Sequence, residues 1–267
     1  MSFGDIAKLT PREVRLLCRR GEFDRPTSGA AMGFVQVNLV ILPGEAAAEF
    51  EAFCRLNPRP CPLLEVTNLG SYRPTRLAPD ADVRTDLPRY RVYRGGLCVD
   101  RLSDVVSYWR ENFVAFLIGC SFTFESALIG AGIPVRHIEE NRNVPMFRTN
   151  VPCKPAGRFH GPLVVSMRPM TPRQADRAAE ITAQFPAVHG APMQIGNHTE
   201  LGITDLNRPD YGDAVTIRPG EIPSFWACGV TPMEAILRAK LDLAITHEPG
   251  HMLVTDMRDE AFREKSI

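Results

Sequence analysis

The hydrophobic positions of this chain fall into short runs whose spacing switches between that of strands and that of helices. Residues 34–42 alternate apolar and polar side chains and then become wholly apolar, which is typical of a strand that enters a core. Pro43 and Gly44 end this run, and residues 45–55 follow with the spacing of an amphipathic helix. Residues 34–55 are therefore predicted to form a buried strand followed directly by a helix.

The same alternation continues along the chain. Further strands are predicted at 62–66, 90–93, 113–118, 135–138, 163–167, 193–195, 214–217, 224–227 and 253–255, and helices at 103–109, 122–129, 173–185 and 234–241. Because strands and helices interleave, we predict a layered α/β core with a mixed sheet. Residues 134–213 carry more strands and turns per helix, so we predict a smaller, strand-rich α+β domain there, inserted into a main domain of 1–133 and 214–267.

Three helix starts share one sequence form, a threonine and a proline followed by Glu or Gln three residues after the threonine. They lie at residues 10–13, 171–174 and 231–234. This is the capping box: the threonine accepts a hydrogen bond from the third helical amide, proline fixes the first helical φ, and the Glu or Gln reaches back. The form predicts where helices begin and carries no chemistry of its own.

Charge and composition limit the partners, location and cofactors that we expect for this protein. Lysine plus arginine and aspartate plus glutamate number 31 each, so the net charge is zero, which argues against nucleic acid or an anionic membrane as partner. The first 20 residues lack a signal-peptide core, and no apolar run reaches membrane length, so we expect a cytoplasmic protein. Its seven cysteines are scattered without zinc-finger spacing, which predicts reduced thiols, and no metal or other cofactor is called for.

Two predicted strands end at a cysteine corner just before a helix. The run 116–118 reaches Gly119, Cys120 and Ser121, with Glu125 one turn on, and 225–227 reaches Cys228. Such corners gather small polar groups and backbone N–H donors where anions or reacting carbonyls are held, and a helix start lowers the pKa of a thiol. The alternative is structural, since cysteine is a small hydrophobic residue that suits tight corners.

Other polar residues lie in short, turn-rich motifs beside these corners. The candidates are Arg84, Asp86, Arg148, Asn150, Arg168, His189 and His247. For each arginine or aspartate a salt bridge or turn cap is the competing interpretation, whereas the histidines titrate near neutral pH. His247 and His251 have the spacing of metal ligands only on a helix, which Pro249 and Gly250 oppose.

Taken together, these motifs resemble the D-glutamate cyclase family, whose bacterial members are labelled hydro-lyases. The resemblance covers nearly the whole chain and is carried by residues 33–39, 61–66, 84–88, 90–93, 116–122, 143–150, 226–232 and 245–252. It implies a lyase that removes water from a small carboxylic acid, with cyclisation of D-glutamate to 5-oxo-D-proline as the leading reaction. Glu248 departs from the small residue expected in the turn that follows His247.

That reaction needs an anchor for the α-carboxylate, a base near the amine, an acid for the departing oxygen and donors for an oxyanion. We expect Arg84 or Arg148 to bind the carboxylate, and Asn150, Arg168 and Cys228 to lie near the substrate as well. The backbone at Cys120 and Ser121 is expected to bind the oxyanion. His189 or His247 would act as acid or base, and Asp86 or Glu125 would orient that histidine. Covalent catalysis by Cys120 is possible but not required. The alternatives are a hydroxy-acid dehydratase and a non-catalytic binding protein for a small carboxylate, and a homo-oligomer is left open.

Overall fold

The computed structural model describes residues 3–264. Seven α-helices lie within this range: α1 Phe3–Ala7, α2 Pro11–Arg19, α3 Gly44–Leu56, α4 Glu125–Gly130, α5 Arg136–Glu139, α6 Pro172–Ala183 and α7 Thr231–Ala239. Eleven strands accompany them: β1 Phe34–Pro43, β2 Leu63–Val66, β3 Tyr90–Arg94, β4 Leu97–Leu102, β5 Phe113–Gly119, β6 Met146–Pro152, β7 Pro162–Met170, β8 Gln194–Ile195, β9 Ile222–Ala227, β10 Ala244–His247 and β11 Leu253–Arg258.

A seven-stranded sheet forms the larger layer. Its order is β2-β5-β1-β10-β3-β4, and β11 also pairs with β1. The predicted α/β content is confirmed, but the expectation of a mixed sheet is wrong, because every strand pair between residues 3 and 264 is antiparallel. Helices α3 and α6 each connect two strands that run in the same direction without being neighbours, because one antiparallel strand lies between them: β5 between β1 and β2, and β9 between β7 and β8.

Strand β1 is the centre of this sheet, and both of its faces are buried. Val37 and Leu39 pack into one hydrophobic cluster, and Val40 and Leu42 pack into another on the opposite face. A strand buried on both faces reads as a continuous apolar run, as the sequence of β1 does. The polar residues at the start of β1, above all Gln36, therefore reach a buried environment beside the site described below.

On one side β1 pairs first with β11 and then with β10, and His247 lies between these two partners. Residues 36–37 pair with β11, whereas residues 40–41 pair with β10. Between these two ladders the ring nitrogen Nδ1 of His247 lies 3.2 Å from the backbone N of Leu39 and 3.1 Å from its carbonyl O. The imidazole therefore occupies the position where a neighbouring strand would pair with Leu39.

The second sheet has four strands in the order β6-β7-β9-β8. Trp226 of β9 packs toward helix α6, where its indole N–H donates to Thr182 Oγ1 at 3.1 Å. Its neighbour Phe225 points to the opposite face of the sheet. This sheet draws its strands from residues 146–227. The division of the chain into two domains at 134 and 213 stays a prediction.

Two predicted strands are wrong. Residues 214–217 form no strand, and residues 135–138 fall largely in helix α5. Val135 and Ile138 pack into the same hydrophobic cluster, as residues three apart on a helix do. Four residues are too few for apolar spacing to distinguish the two periods, and the misassignment matters because α5 carries His137.

All three predicted helix starts are present, but only two are capping boxes. Thr10 and Thr171 each accept from the third helical amide, and Glu13 and Gln174 reach back as expected. Helix α7 begins at Thr231 without a side-chain cap. The Thr231 hydroxyl instead accepts from the backbone N of Val164 in β7 at 3.0 Å, so it joins the helix to the second sheet.

Candidate functional site

The corner after β5 brings a carboxylate into the interior between the two sheets. Strand β5 ends at Gly119, residues 121–124 form a single 3₁₀ turn, and α4 begins at Glu125. The predicted uninterrupted helix over 122–129 is therefore replaced by two short pieces. The result places Glu125 in the first turn of α4, only 1% exposed, where a carboxylate must be compensated by neighbouring donors.

Three side chains supply that compensation. Ser28 Oγ donates to Glu125 Oε2 at 2.7 Å, and His137 Nε2 lies 3.0 Å from Glu125 Oε1. The same ring nitrogen lies 3.0 Å from Ser28 Oγ. On the opposite side, Arg168 Nε donates to Glu125 Oε1 at 3.1 Å, and its Nη2 pairs with the same oxygen. Serine, histidine and arginine thus converge on one buried carboxylate.

The guanidinium of Arg168, the partner of Glu125, is buried and is held by several further contacts. Its side chain is 0% exposed. Nη2 donates to Ser121 Oγ at 3.1 Å and Nη1 to Ser166 Oγ at 3.2 Å. Two aromatic rings, Phe124 and Trp226, lie with their centroids 5.4 Å from its central carbon. The structure therefore brings together three of the predicted site residues, Ser121, Glu125 and Arg168.

Electrostatics keep Glu125 ionised. Burial alone would raise the pKa of this carboxyl, but the charge of Arg168, the charge that His137 carries when protonated, and the hydrogen bonds of both outweigh burial and lower its pKa to about 2. A carboxylate with so low a pKa is a poor base near neutral pH. Such a carboxylate is suited instead to stabilising a positive charge beside it.

Two members of this network reach a cavity. A cavity of about 450 Å³ is lined by the buried residues Ser28 and His137 and by the more exposed residues Arg25, Asn141 and Arg142. Arg25 Nη2 donates to Asn141 Oδ1. Glu139 also lines the cavity, but it is paired with Arg136 at 3.0 Å. Arg142 lies 3.7 Å from Glu140 and donates to the carbonyl O of Ala214. The cavity lining thus combines two arginines with the serine and histidine that contact Glu125.

The two cysteine corners meet, but their thiols are not activated. Cys120 and Cys228 pack in the same hydrophobic cluster. Burial raises the pKa of the Cys120 thiol well above its usual range and that of Cys228 to about 11. The expected lowering of these pKa values is therefore wrong, because the loss of solvent outweighs the backbone donors at the corner. A role for either residue in the site stays a prediction.

The two predicted histidines are fully enclosed. Burial lowers the pKa of His189 and of His247 to about 4. His189 Nδ1 lies 2.8 Å from the carbonyl O of Arg59, and His247 bridges to Leu39 as described above. The Nε2 atom of each is buried without a hydrogen-bond partner. Both rings are therefore neutral near pH 7, and no solvent reaches His247 although no helix covers it.

The remaining predicted residues lie in other ion pairs. Asp86 accepts two hydrogen bonds from Arg19, at 2.7 and 2.6 Å. Arg84 pairs with Asp82 at 2.7 Å. Asp86 and Arg84 therefore form salt bridges, which was the alternative to a functional role for each of them. Neither residue lines the cavity at Ser28.

Arg148 belongs to a separate polar cluster on β6. Its Nε donates to Glu234 Oε1 at 2.6 Å, its Nη1 to Asp210 at 2.9 Å and its Nη2 to Tyr211 Oη at 3.0 Å. Asn150, two residues on, is exposed and donates to the carbonyl O of Glu200 at 3.3 Å. Neither lines the cavity at Ser28, and their assignment to substrate stays a prediction.

Ser28 and His137 are functional candidates that sequence reasoning did not select. Ser28 lies between α2 and β1 in a stretch without strand or helix spacing, and His137 lay in the stretch misassigned as a strand. The only signal in the sequence was the pair Arg136-His137, two cationic side chains next to apolar positions.

Comparison with known proteins shows which chains this sequence resembles. A family model described as D-glutamate cyclase matches residues 114–256. A protein of Bacillus licheniformis named "Putative hydro-lyase" is 59% identical, over 96% of this chain and 98% of its own length. The Bacillus subtilis protein named "Putative hydro-lyase YcsI" is 55% identical, over 95% and 98%. One from Rubrobacter xylanophilus with the same general name is 57% identical, over 94% and 96%.

The matched residues include β5 and the corner that carries Glu125, together with His137 and Arg168. Within residues 3–264, no helix has the length and apolar character needed to cross a membrane. The predicted family is confirmed by both the family model and the relatives. The chain therefore belongs to the D-glutamate cyclase family.

Proposed function

We propose that this protein is a carbon–oxygen lyase that cyclises D-glutamate to 5-oxo-D-proline and water. The observation that carries the proposal is the contact of Ser28 and His137 with Glu125 beside a cavity that Ser28, His137 and two arginines line. The family and the names of the relatives support removal of water, and the family description supports D-glutamate.

The cavity suits a small dicarboxylic acid. Its volume of about 450 Å³ is in the range of small-molecule sites and exceeds what one glutamate needs. Arg25 and Arg142 line it with planar guanidinium groups, the type of group that binds carboxylates through paired hydrogen bonds, and a substrate would share them with their contacts to Asn141, Ala214 and Glu140. With the α-carboxylate held near these arginines, the reacting end of the molecule extends toward Ser28 and His137.

The reaction forms one bond and breaks another. The α-ammonium group loses one proton and attacks the γ-carboxylate carbon, so a C–N bond forms. The nitrogen of the tetrahedral intermediate then loses a second proton, and one oxygen, which takes up both protons, leaves as water as its C–O bond breaks. A single acid–base group that accepts each proton from the nitrogen and passes it to this oxygen serves both steps.

We assign this proton transfer to His137, with Ser28 as the hydroxyl that faces the substrate. Glu125 touches both groups and, with its lowered pKa, remains an anion that stabilises the imidazolium formed in the first step. Arg168 fixes the position of Glu125 from behind. His247, the candidate from sequence for the same role, bridges to the backbone of Leu39 and does not line the cavity.

The test is incubation of purified, chelator-treated protein with D-glutamate and, separately, L-glutamate, with chiral detection of 5-oxoproline against a blank without protein. We expect selective formation of 5-oxo-D-proline. Product at the level of the blank, also after divalent metals are restored, would contradict the cyclase reaction. Hydroxy-acid substrates would then be tried for a dehydratase, and saturable binding of D-glutamate without turnover would indicate a carboxylate-binding protein.

A further inference from the structure

The turn that ends helix α5 carries two residues of the cavity lining, Asn141 and Arg142. The backbone N–H of Arg142 donates to the carbonyl O of His137 at 2.8 Å, and that of Asn141 donates to the carbonyl O of Ile138 at 3.1 Å. These two bonds form a Schellman motif, which satisfies carbonyl groups at the end of a helix. The helix that carries His137 therefore leads directly into the lining of the cavity.

Asn141 occupies the position of this motif that requires a left-handed backbone. Its φ is +52°, and within residues 3–264 only four residues other than glycine have a positive φ. Glycine is the usual residue at this position, because a β-carbon is strained there, and asparagine is the less common alternative. The turn alone therefore does not account for the side chain of Asn141, since glycine would form the same turn with less strain.

The side chain of Asn141 has a specific partner in the cavity. Its Oδ1 accepts a hydrogen bond from Nη2 of Arg25, which lies in the segment between α2 and β1. Arg25 also lines the cavity, three positions before Ser28. The contact therefore holds a guanidinium at the lining and ties the segment that carries Ser28 to the helix that carries His137.

The amide of Asn141 holds this guanidinium without adding a negative charge. Elsewhere in the protein arginines pair with carboxylates, as Arg136 does with Glu139 and Glu221. A carboxylate at position 141 would repel an anionic ligand and compete with it for Arg25. The neutral amide oxygen accepts one hydrogen bond and leaves no such charge for a bound carboxylate to displace.

We propose that Asn141 is a positioning residue for the substrate, whose amide orients Arg25 for binding the substrate carboxylate. The inference rests on the proposed function, which makes Arg25 a carboxylate anchor, and deepens it by naming the residue that sets the position of this anchor. Affinity for a dicarboxylate then depends on the side chain of Asn141, whereas the helix end depends only on its backbone conformation.

The test measures the binding of glutarate, a dicarboxylate that cannot cyclise because it has no amine, to the full chain by titration calorimetry. Asn141→Gly keeps the left-handed turn and removes the amide. We expect the dissociation constant of glutarate to rise about 3–10-fold, as loss of one hydrogen bond does, while the midpoint of thermal unfolding stays the same or rises. Asn141→Asp keeps an acceptor but adds a charge, so its dissociation constant should rise about 10-fold at low salt and less at high salt.

A double-mutant cycle shows whether Asn141 acts through Arg25. Arg25→Ala removes the anchor and should weaken glutarate binding, and adding Asn141→Gly to it should then have no further effect, because the two residues contribute one shared interaction. Lys240→Gly is the matched control. Lys240 also ends a helix with a left-handed backbone, at a φ of +49°, but does not line this cavity, so its variant should bind glutarate as the wild type does.

Three results would overturn the positioning role: unchanged binding in Asn141→Gly, unchanged binding in Arg25→Ala, or an effect of Asn141→Gly that persists without Arg25. A wild type that does not bind glutarate would overturn the carboxylate anchor and this inference together. Weaker binding in Asn141→Gly, lost in the Arg25→Ala background, would uphold the positioning role even if the wild type forms no 5-oxoproline, and only the cyclase reaction would then be rejected.

Discussion

Glu125 joins the two halves of the candidate site, since it contacts Arg168 on one side and Ser28 and His137 on the other. Its carboxylate is the counter-charge for a guanidinium that is 0% exposed. Removing the negative charge leaves that guanidinium buried without compensation, which is among the most costly changes in a protein interior.

For Glu125→Gln we therefore expect the free energy of unfolding to fall by about 3–5 kcal/mol. Urea unfolding followed by circular dichroism measures it. The control is Glu51→Gln, which removes the partner of Arg55 in an exposed pair one helical turn apart and should change stability little. Comparable small losses in both variants would show that Arg168 does not depend on Glu125.

Single residues of the site could be predicted only where a recognisable pattern surrounds them. Ser121, Glu125 and Arg168 follow or lie within strong apolar runs, and the structure brings these three together. Ser28 has no such context, because the segment between α2 and β1 has no regular spacing. The partners of a buried charge come from distant parts of the chain, so local spacing cannot name them.

At the scale of elements, prediction succeeded where the apolar run was long or the helix start had a specific chemical form. The strand at 34–42 and the capping boxes at 10–13 and 171–174 are confirmed. The start at 231 is confirmed as a position but not as a box, because Thr231 bonds to Val164 of the second sheet. A tertiary contact, rather than the local sequence, therefore determines which hydrogen bond the Thr231 hydroxyl makes.

The strands that sequence missed have weak local signals for identifiable reasons. Strand β4 is an edge strand of the larger sheet and is mostly exposed, so its side chains do not alternate in hydrophobicity. Strand β10 is wholly buried but only four residues long. Strand β6 begins after a proline and ends at another. An exposed edge, a very short buried strand and a strand bounded by prolines all lack the period on which prediction relies.

At the scale of the whole molecule, buried neutral histidines make stability depend on pH. The pKa values of His189 and His247 fall to about 4 in the folded chain, below the ordinary 6.5 that applies when it unfolds. Between these values the unfolded chain binds more protons than the folded one. Stability is therefore fully present above pH 6.5 and is lost as the pH falls toward 4.

We expect the free energy of unfolding to drop by up to about 3 kcal/mol per histidine across this window, as measured by urea unfolding at pH 7 and pH 4.5. His247→Gln should show a smaller drop than the wild type, even if its stability at pH 7 is lower. His160→Gln, at an exposed histidine, should leave the drop unchanged. Equal stability at both pH values would contradict the neutral, buried state of these rings.

The most direct test of the site is a matched pair of serines. Ser28 and Ser166 both contact the Glu125–Arg168 pair, but only Ser28 lines the cavity. The measurement is the rate of 5-oxo-D-proline formation from saturating D-glutamate. We predict that Ser28→Ala lowers kcat by about 100-fold or more, because it removes the hydroxyl that faces the substrate and contacts the proton-transferring His137, and that Ser166→Ala keeps most of its rate. Equal rates in the two variants would contradict the assignment of catalysis to Ser28, His137 and Glu125.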